Sequence, residues 1–446
     1  MTPPDRQTPP HPHLWPATAA LSAEGRLHVG GCDLAELART YGTPLYVYDE
    51  ATIRGQLRAF QSAIGARYPN YAVAYAAKAY LAPSLAAILR EERCALDAVS
   101  LGEVGMALAG GIAPEAIHLH GNFKPRAELQ AALAAGVGRV VVESLEELDE
   151  VAAIAQAGGM RQRIWLRLRP DVATDTHPHD QTGHAGSKFG LDLATDAPEA
   201  ARRARASPHL ELAGLHAHAG SNLRDSAPIA AVTRVLVDFA AALREAHGVT
   251  IAEISPGGGW GVAYHCDEPE PPIADYAAAL VGAMTAGLAR HALPPPRLIV
   301  EPGRAIVARA GIALYTAGPR KRAPDGTVTL AVDGGMGDNP RPALYGARYH
   351  AALPARMADA PAATTRIVGR YCESGDVLVA AVPLPATAPG ETVAVPVSGA
   401  YQLAMASNYN LVPRPAVVFV RDGAARLVRR RETLADLLAA EAMPPA

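Results

Sequence analysis

Residues 71–78 read YAVAYAAK, an apolar run of strand length closed by a lysine. Working outward, the same kind of run recurs as CALDAVS (94–100), IHLHGN (117–122) and RVVVES (139–144). It returns as IWLRLRP (164–170), LAGLHAHAGS (212–221), EISPGGG (253–259) and LIVEPGR (298–304). Between these runs lie Ala-, Leu-, Glu- and Arg-rich stretches with helical spacing, such as SLEELDEVAAIAQA and APIAAVTRVLVDFAAALREA. Eight strands alternating with helices over roughly 250 residues is the pattern of a (β/α)₈ barrel, with a doubly wound open sheet as the alternative. The predicted fold class is α/β: a TIM-like barrel over residues 49–305, followed by a second, β-rich barrel or sandwich domain over 306–446.

The second domain is read from a change of texture after Arg304. VTLAVDGG, TRIVGRYC, DVLVAAVPLP, TVAVPVSGAY and AVVFVRDGAARLV follow one another with Pro and Gly punctuation and no long helices between them. Upstream, RLHV and PLYVY within 25–48 are strand-like, and these N-terminal strands are expected to join the β domain. Residues 1–24 begin MTPPDRQTPPHPHLWP and are expected to form a flexible Pro-rich leader; they lack the basic-then-apolar order of a signal peptide. A metal on His11 and His13 is conceivable, but a solvated tail is the simpler reading.

Composition narrows the function classes. Of 446 residues, 49% are apolar and 19% charged, which excludes a mainly disordered chain. The formal net charge of −3 argues against electrostatic nucleic-acid binding. No apolar run approaches the roughly 18 residues of a membrane helix. Four dispersed cysteines without a C-x-x-C pair fit a reducing cytoplasm better than a disulfide framework or zinc site.

Catalytic groups of such barrels lie at the C-terminal strand ends. Those ends supply Lys78, Asp97, Asn122, His218 with Ser221, Gly257 to Gly259, and Glu301 to Arg304. A strand-end lysine either reaches for solvent or is desolvated into a Schiff-base nucleophile. Three consecutive glycines let backbone N–H groups approach an anion, and phosphate sites often follow strand seven of a barrel. Glu301 and Arg304 form either a loop-fixing ion pair or a cofactor contact, since a carboxylate can hold a pyridine nitrogen protonated. His216 and His218 also permit a zinc-hydrolase reading, but that arrangement wants H-x-H on the first strand and further histidines later. Cys372, beside a turn, is by itself more simply structural than catalytic.

Taken together, YAAKAY, HGNFKP, THPHDQTGHAGSKFG (176–190), HAHAGS, GGGWG, EPGR, RPALY, CESGD and GAY resemble, in order, the fold-type III pyridoxal-phosphate decarboxylases, above all the diaminopimelate decarboxylases. The likeness runs over nearly the whole chain after about residue 40. It implies a pyridoxal 5'-phosphate enzyme, a carboxy-lyase forming L-lysine from meso-2,6-diaminopimelate in lysine biosynthesis. Lys78 matches the lysine that holds the cofactor as a Schiff base, His218 the histidine stacked on its ring, and Glu301 the carboxylate on its nitrogen. Asp97, Ser221, Gly257, Gly258, Gly259, Gly303, Arg304 and Tyr401 complete the cofactor set. Arg304, Arg341, Tyr345, Glu373 and Tyr401 match substrate positions, and Cys372 the proton donor.

The resemblance further implies a cytoplasmic homodimer whose CESGD loops complete the partner's site, with no metal, nucleic acid or membrane. Alternatives are a same-fold decarboxylase of ornithine, arginine or carboxynorspermidine, a catalytically silent binding homologue, or a racemase or carrier on this barrel. The AAKAY form of the lysine motif and Trp260 depart from the common pattern and are expected to reshape the pocket only locally.

Overall fold

The computed structural model describes residues 7–172 and 187–442. Most of the THPHDQTGHAGSKFG stretch and the first six residues of the leader therefore lie outside the described residues. The chain divides into two compact units. One comprises 56–261 and 271–305, the other 1–55, 262–270 and 306–446.

The first unit is a closed parallel barrel. Its strands are β1 (Tyr71–Ala76), β2 (Ala95–Ala98), β3 (Ile117–Leu119), β4 (Arg139–Val142), β5 (Gln162–Arg169), β6 (Leu210–His216), β7 (Glu253–Ser255) and β8 (Arg297–Val300). Each pairs with the next, and β8 returns to β1 through Leu298 opposite Tyr71. A two-residue strand, Leu191–Asp192, extends the sheet beside β5. All eight runs seen in the sequence are strands, so the closed barrel replaces the open-sheet alternative.

Local chemistry explains why strands pass so quickly into helices. Ser100 and Ser144 cap the helices Leu101–Ala109 and Leu145–Ala157, their hydroxyls accepting from the N–H groups of Glu103 and Glu147. Each glutamate reaches back to the N–H of the residue before the serine, satisfying a second orphan donor. Inside the barrel, Trp165 packs with Ala74, Val141, Ala213 and Ile299. Gly214 makes room for it, because a Cβ there would stand 2.6 Å from the indole ring.

The interior also holds ions. Arg139 is paired with Glu253 across the lumen, and Trp165 Nε1 donates to the same carboxylate at 2.7 Å. Arg167 meets Glu143 at 2.7 Å. These buried charges are each matched and hydrogen-bonded, the condition under which burial of charge is tolerated.

The second unit is built on a sheet in which Leu45–Asp49 lies between Gly311–Arg322 and Ala416–Arg421. Val328–Val332, Ala363–Val368 and Val377–Leu384 continue it on one side, and Ala424–Arg429 closes the other. Thr392–Val395 pairs off the main path with Gly311–Arg322. The PLYVY run thus enters this sheet, while RLHV forms a separate small sheet with Ala20–Leu21 and Cys32–Asp33. The strand Gly311–Arg322 was not foreseen; its Ala-rich start carries no alternation.

The leader differs from expectation. From residue 7 it is packed rather than flexible: Leu14 and Trp15 are fully buried, and Trp15 joins a core with Leu45, Val47, Leu314 and Val418. Arg309 fastens it by donating to the carbonyls of Trp15 (2.6 Å) and Pro12 (3.1 Å). One tryptophan, buried with its N–H bonded to the Pro10 carbonyl, overrides the floppiness that the prolines suggest. Among the described residues, no helix is long and apolar enough to cross a membrane.

Candidate active site

At the C-terminal end of the barrel, Glu301 follows β8 and is 8% exposed. Ser255 Oγ donates to one of its oxygens at 2.5 Å, and His216 Nε2 lies 3.0 Å from the other. Ser255 and His216 are register partners on β7 and β6, so the sheet itself aims both at the carboxylate. His120 Nε2 stands 3.9 Å from Glu301 and 3.6 Å from Asp97. Burial and the neighbouring Glu301 push the Asp97 carboxyl well above the usual range, against the charge of Lys78. Two carboxyls so placed hold one negative charge more readily than two.

Burial drives His120, His216 and His218 far below the ordinary imidazole range, so all three are neutral near pH 7. For His218, Lys78 is the next cause after burial, which puts the lysine within electrostatic reach. Lys78 sits on the short turn Ala77–Ala79 just beyond β1. It is the single exposed residue in the stretch 73–80. The sequence leaves a solvent-reaching and a desolvated lysine both open; here the residue is exposed on a turn just past the buried strand, within electrostatic reach of Asp97 and His218.

The turn after β7 requires glycine. Gly257 and Gly259 have φ of +78° and +101°, where side chains are strained. At Gly258 a Cβ would fall 1.9 Å from the Glu301 carbonyl oxygen, and at Gly259 2.3 Å from the Gly220 carbonyl. Gly303 abuts Ala76, with a Cβ at 3.0 Å from its methyl carbon. Arg304, buried, donates to Ser221 Oγ at 2.7 Å. Trp260 turns into the core, edge-on to Phe60 at 5.2 Å and tilted on Tyr276 at 5.7 Å, so this departure from the family motif is absorbed by packing.

The barrel thus gathers Lys78, Asp97, His218, Ser221, Gly257 to Gly259, Glu301, Gly303 and Arg304. The remaining candidates belong to the other unit. There Arg341 is buried, lies 4.5 Å over the Tyr264 ring and donates to Tyr349 Oη at 2.6 Å. Tyr345 is partly exposed, and Tyr401 follows Gly399–Ala400 with a φ of 58°. Cys372 and Glu373 are exposed on one loop, where the Cys372 N–H donates to Asn410 Oδ1 at 3.0 Å.

Sequence reasoning missed Ser255, His120 and His216 as supports of Glu301. The signal was present: His120 opens HGNFKP, His216 opens HAHAGS, and Ser255 stands two residues before GGGWG. His120, His216 and Glu301 also bring ligand atoms within 4.8 Å of one another, a spacing that could hold a metal ion.

Comparison with known proteins favours a cofactor at this place. The family model "Pyridoxal-dependent decarboxylase, pyridoxal binding domain" matches residues 50–308. The diaminopimelate decarboxylase of Halalkalibacterium halodurans is 40% identical over 422 residues, covering 94% of this chain and 96% of that protein. That of Mycobacterium tuberculosis is 42% identical over 441 residues, covering 96% and 98%. The crystal structure of diaminopimelate decarboxylase from M. jannaschii in co-complex with L-lysine superposes with a TM-score of 0.90 at 33% identity, covering 96% and 98%.

The residues present fit pyridoxal phosphate. Beside the close-packed glycine turn, Ser221 and Arg304 join a hydroxyl and a guanidinium suited to a phosphate. Glu301 is a buried acceptor suited to a pyridine N–H. Asp97 Oδ2, His120 Nε2 and His216 Nδ1 are buried without hydrogen-bond partners among the described residues. A primary amine, Lys78, stands open close by. With its barrel, its glycine cradle and its carboxylate in place, this chain belongs to the pyridoxal-dependent decarboxylase family.

Proposed function

We propose that this chain is a pyridoxal-phosphate-dependent carboxy-lyase that converts meso-2,6-diaminopimelate to L-lysine and carbon dioxide, the last step of lysine biosynthesis. The observation that carries the reading is identity of about 40% to diaminopimelate decarboxylases across nearly the full length of both chains. Pyridoxal phosphate, when bound, supplies an electron sink for the carbanion left by departing carbon dioxide.

The protein's own groups do the rest. Lys78 offers the tethering amine. Glu301, fixed at both oxygens by Ser255 and His216, holds a proton on the ring nitrogen and so keeps the sink electron-poor. Neutral His218 covers the ring face, and Asp97 adds a carboxyl that burial keeps from competing for charge. Gly257 to Gly259, Ser221, Gly303, Arg304 and Tyr401 hold the phosphate. Arg304 and Arg341 suit the substrate carboxylates by their planar donor forks, with Tyr345 and Tyr401 alongside. Glu373 takes the distal ammonium, and Cys372 returns a proton to Cα.

Residues 372–375 are exposed as a run, as expected if a second copy of the chain receives this loop. We therefore propose a homodimer with shared sites, acting in the cytoplasm. The test supplies diaminopimelate, ornithine and arginine in parallel. Equal yields of lysine and carbon dioxide from diaminopimelate alone are expected. Turnover of ornithine or arginine instead would discard the substrate while keeping the cofactor.

A further inference from the structure

The segment that carries Arg341 folds back onto it. The helix Arg341–Tyr345 ends at Gly346, whose φ of +58° is the left-handed cap conformation and whose N–H donates to the Pro342 carbonyl at 3.0 Å. The reversal returns Tyr349 to the start of the helix, where Arg341 Nη1 donates to Tyr349 Oη at 2.6 Å. Tyr264, from the segment 262–270 of the same unit, lays its ring against the same guanidinium at 4.5 Å. The two phenol rings meet edge to face, 5.4 Å apart at 79°, so each holds the other. Arg341, Tyr264 and Tyr349 are all buried.

These contacts decide how the side chain is presented. Burial raises the Tyr349 phenol above its ordinary range, against the charge of Arg341, so it accepts as a neutral hydroxyl near pH 7. Neither phenol neutralises the guanidinium. The face contact with Tyr264 fixes the plane of the fork, and the hydrogen bond to Tyr349 fixes its direction within that plane. Tyr349 is itself held firmly. The fully buried Gln402 amide lies within its reach, and Tyr46 Oη stands 2.9 Å from Gln402 Oε1 and 3.0 Å from Asp338 Oδ2. A planar fork so oriented takes a carboxylate in two parallel bonds, and it does not have to surrender rotamer freedom when it does so.

We propose that Tyr349 and Tyr264 are positioning residues that set the specificity of the site for a dicarboxylic amino acid, by holding the Arg341 fork in the one orientation that pairs a substrate carboxylate. The inference rests on the proposed substrate reading, which gives Arg341 that carboxylate. The experiment uses full-length, cofactor-loaded protein and two probes followed by calorimetry. Pimelate has the seven-carbon dicarboxylate frame of diaminopimelate without its amines, and 1,5-diaminopentane has the amines without the carboxylates. Tyr349→Phe should weaken pimelate about tenfold, the loss of an acceptor to a charged donor. Tyr264→Leu should weaken it about fivefold, and Tyr264→Phe, which keeps the ring, should restore most of that loss. Affinity for 1,5-diaminopentane should stay the same throughout. With diaminopimelate, the loss in Tyr349→Phe should fall on KM rather than kcat, because the fork contact is made alike in ground and transition states. In an Arg341→Gln background Tyr349→Phe should add nothing, since it acts through the arginine. Pimelate affinity lost in Arg341→Gln but kept in Tyr349→Phe overturns the inference and leaves the substrate reading standing. Pimelate affinity kept in Arg341→Gln overturns the substrate reading and the inference with it. Equal loss of both probes in Tyr349→Phe marks a general disturbance of the fold and overturns the inference as well.

Discussion

Gly258→Ala tests the cradle where its geometry is tightest. The added Cβ would fall 1.9 Å from the Glu301 carbonyl oxygen and 2.8 Å from its carbonyl carbon. Ordinary contact begins near 3.4 Å, so the turn and the Glu301 backbone must part by about 1.5 Å (3.4 less 1.9). The φ of Gly258 lies outside the left-handed region, so collision alone is at issue, and both partners are backbone and cannot swing away. Overpacking of this kind costs about 1–3 kcal/mol of stability. The displacement moves the phosphate cradle and the Glu301 anchor together, and a 1 Å misplacement costs on the order of 100-fold in turnover.

The assay is twofold: pyridoxal-phosphate affinity by fluorescence titration, and kcat with diaminopimelate at saturating cofactor. Both should fall, kcat by about 100-fold. Gly282→Ala is the control. It lies exposed within the helix Ile273–Arg290 with nothing within 4 Å of the new Cβ, and should stabilise by about 0.5–1 kcal/mol. A Gly258→Ala protein with normal cofactor affinity and kcat would refute the packing argument.

Three further outcomes are expected. Arg341→Ala should lower kcat/KM for diaminopimelate by about 100-fold or more, since a charged fork is lost from the substrate carboxylate, and near-normal values would remove it from the site. Trp15→Ala should cost about 3–5 kcal/mol, read as a lowered unfolding midpoint; an unchanged midpoint would mean the leader is not packed. His350 takes up its proton near 6.5 when unfolded but only near 4 when folded, so stability falls as pH drops through that window. The loss is at most about 3 kcal/mol, and His350→Gln should flatten this part of the pH profile relative to wild type.

How far the sequence disclosed this protein depended on whether the signal was local. The barrel strands were legible because each is a short apolar run between helical stretches, and the glycine turn because its chemistry is written in consecutive residues. The pairing of Leu45–Asp49 with Gly311 to Leu314 joins segments far apart in the chain and leaves no mark in either. The same holds for the lumen pair Arg139 and Glu253, whose charges read as surface residues until closure brings the strands face to face. That the run YAVAYAAK ends in a lysine is plain in the sequence, but the turn Ala77–Ala79 that carries it is not signalled by alanine periodicity. The docking of the leader turned on one indole, Trp15, whose partners come from segments far along the chain.

Lys78 is the amine proposed to tether the cofactor, and the composition makes its test unusually clean. The chain has four lysines: Lys78, Lys124, Lys188 and Lys321. Lys124 is buried and paired with Glu147. Loading the protein with pyridoxal phosphate, reducing with borohydride and mapping the peptides by mass spectrometry reads which amine carries the cofactor. Stoichiometric pyridoxyl label on Lys78, absent from Lys78→Ala together with lysine formation from diaminopimelate, is the predicted result. Label on another lysine, or undiminished turnover in Lys78→Ala, would contradict it.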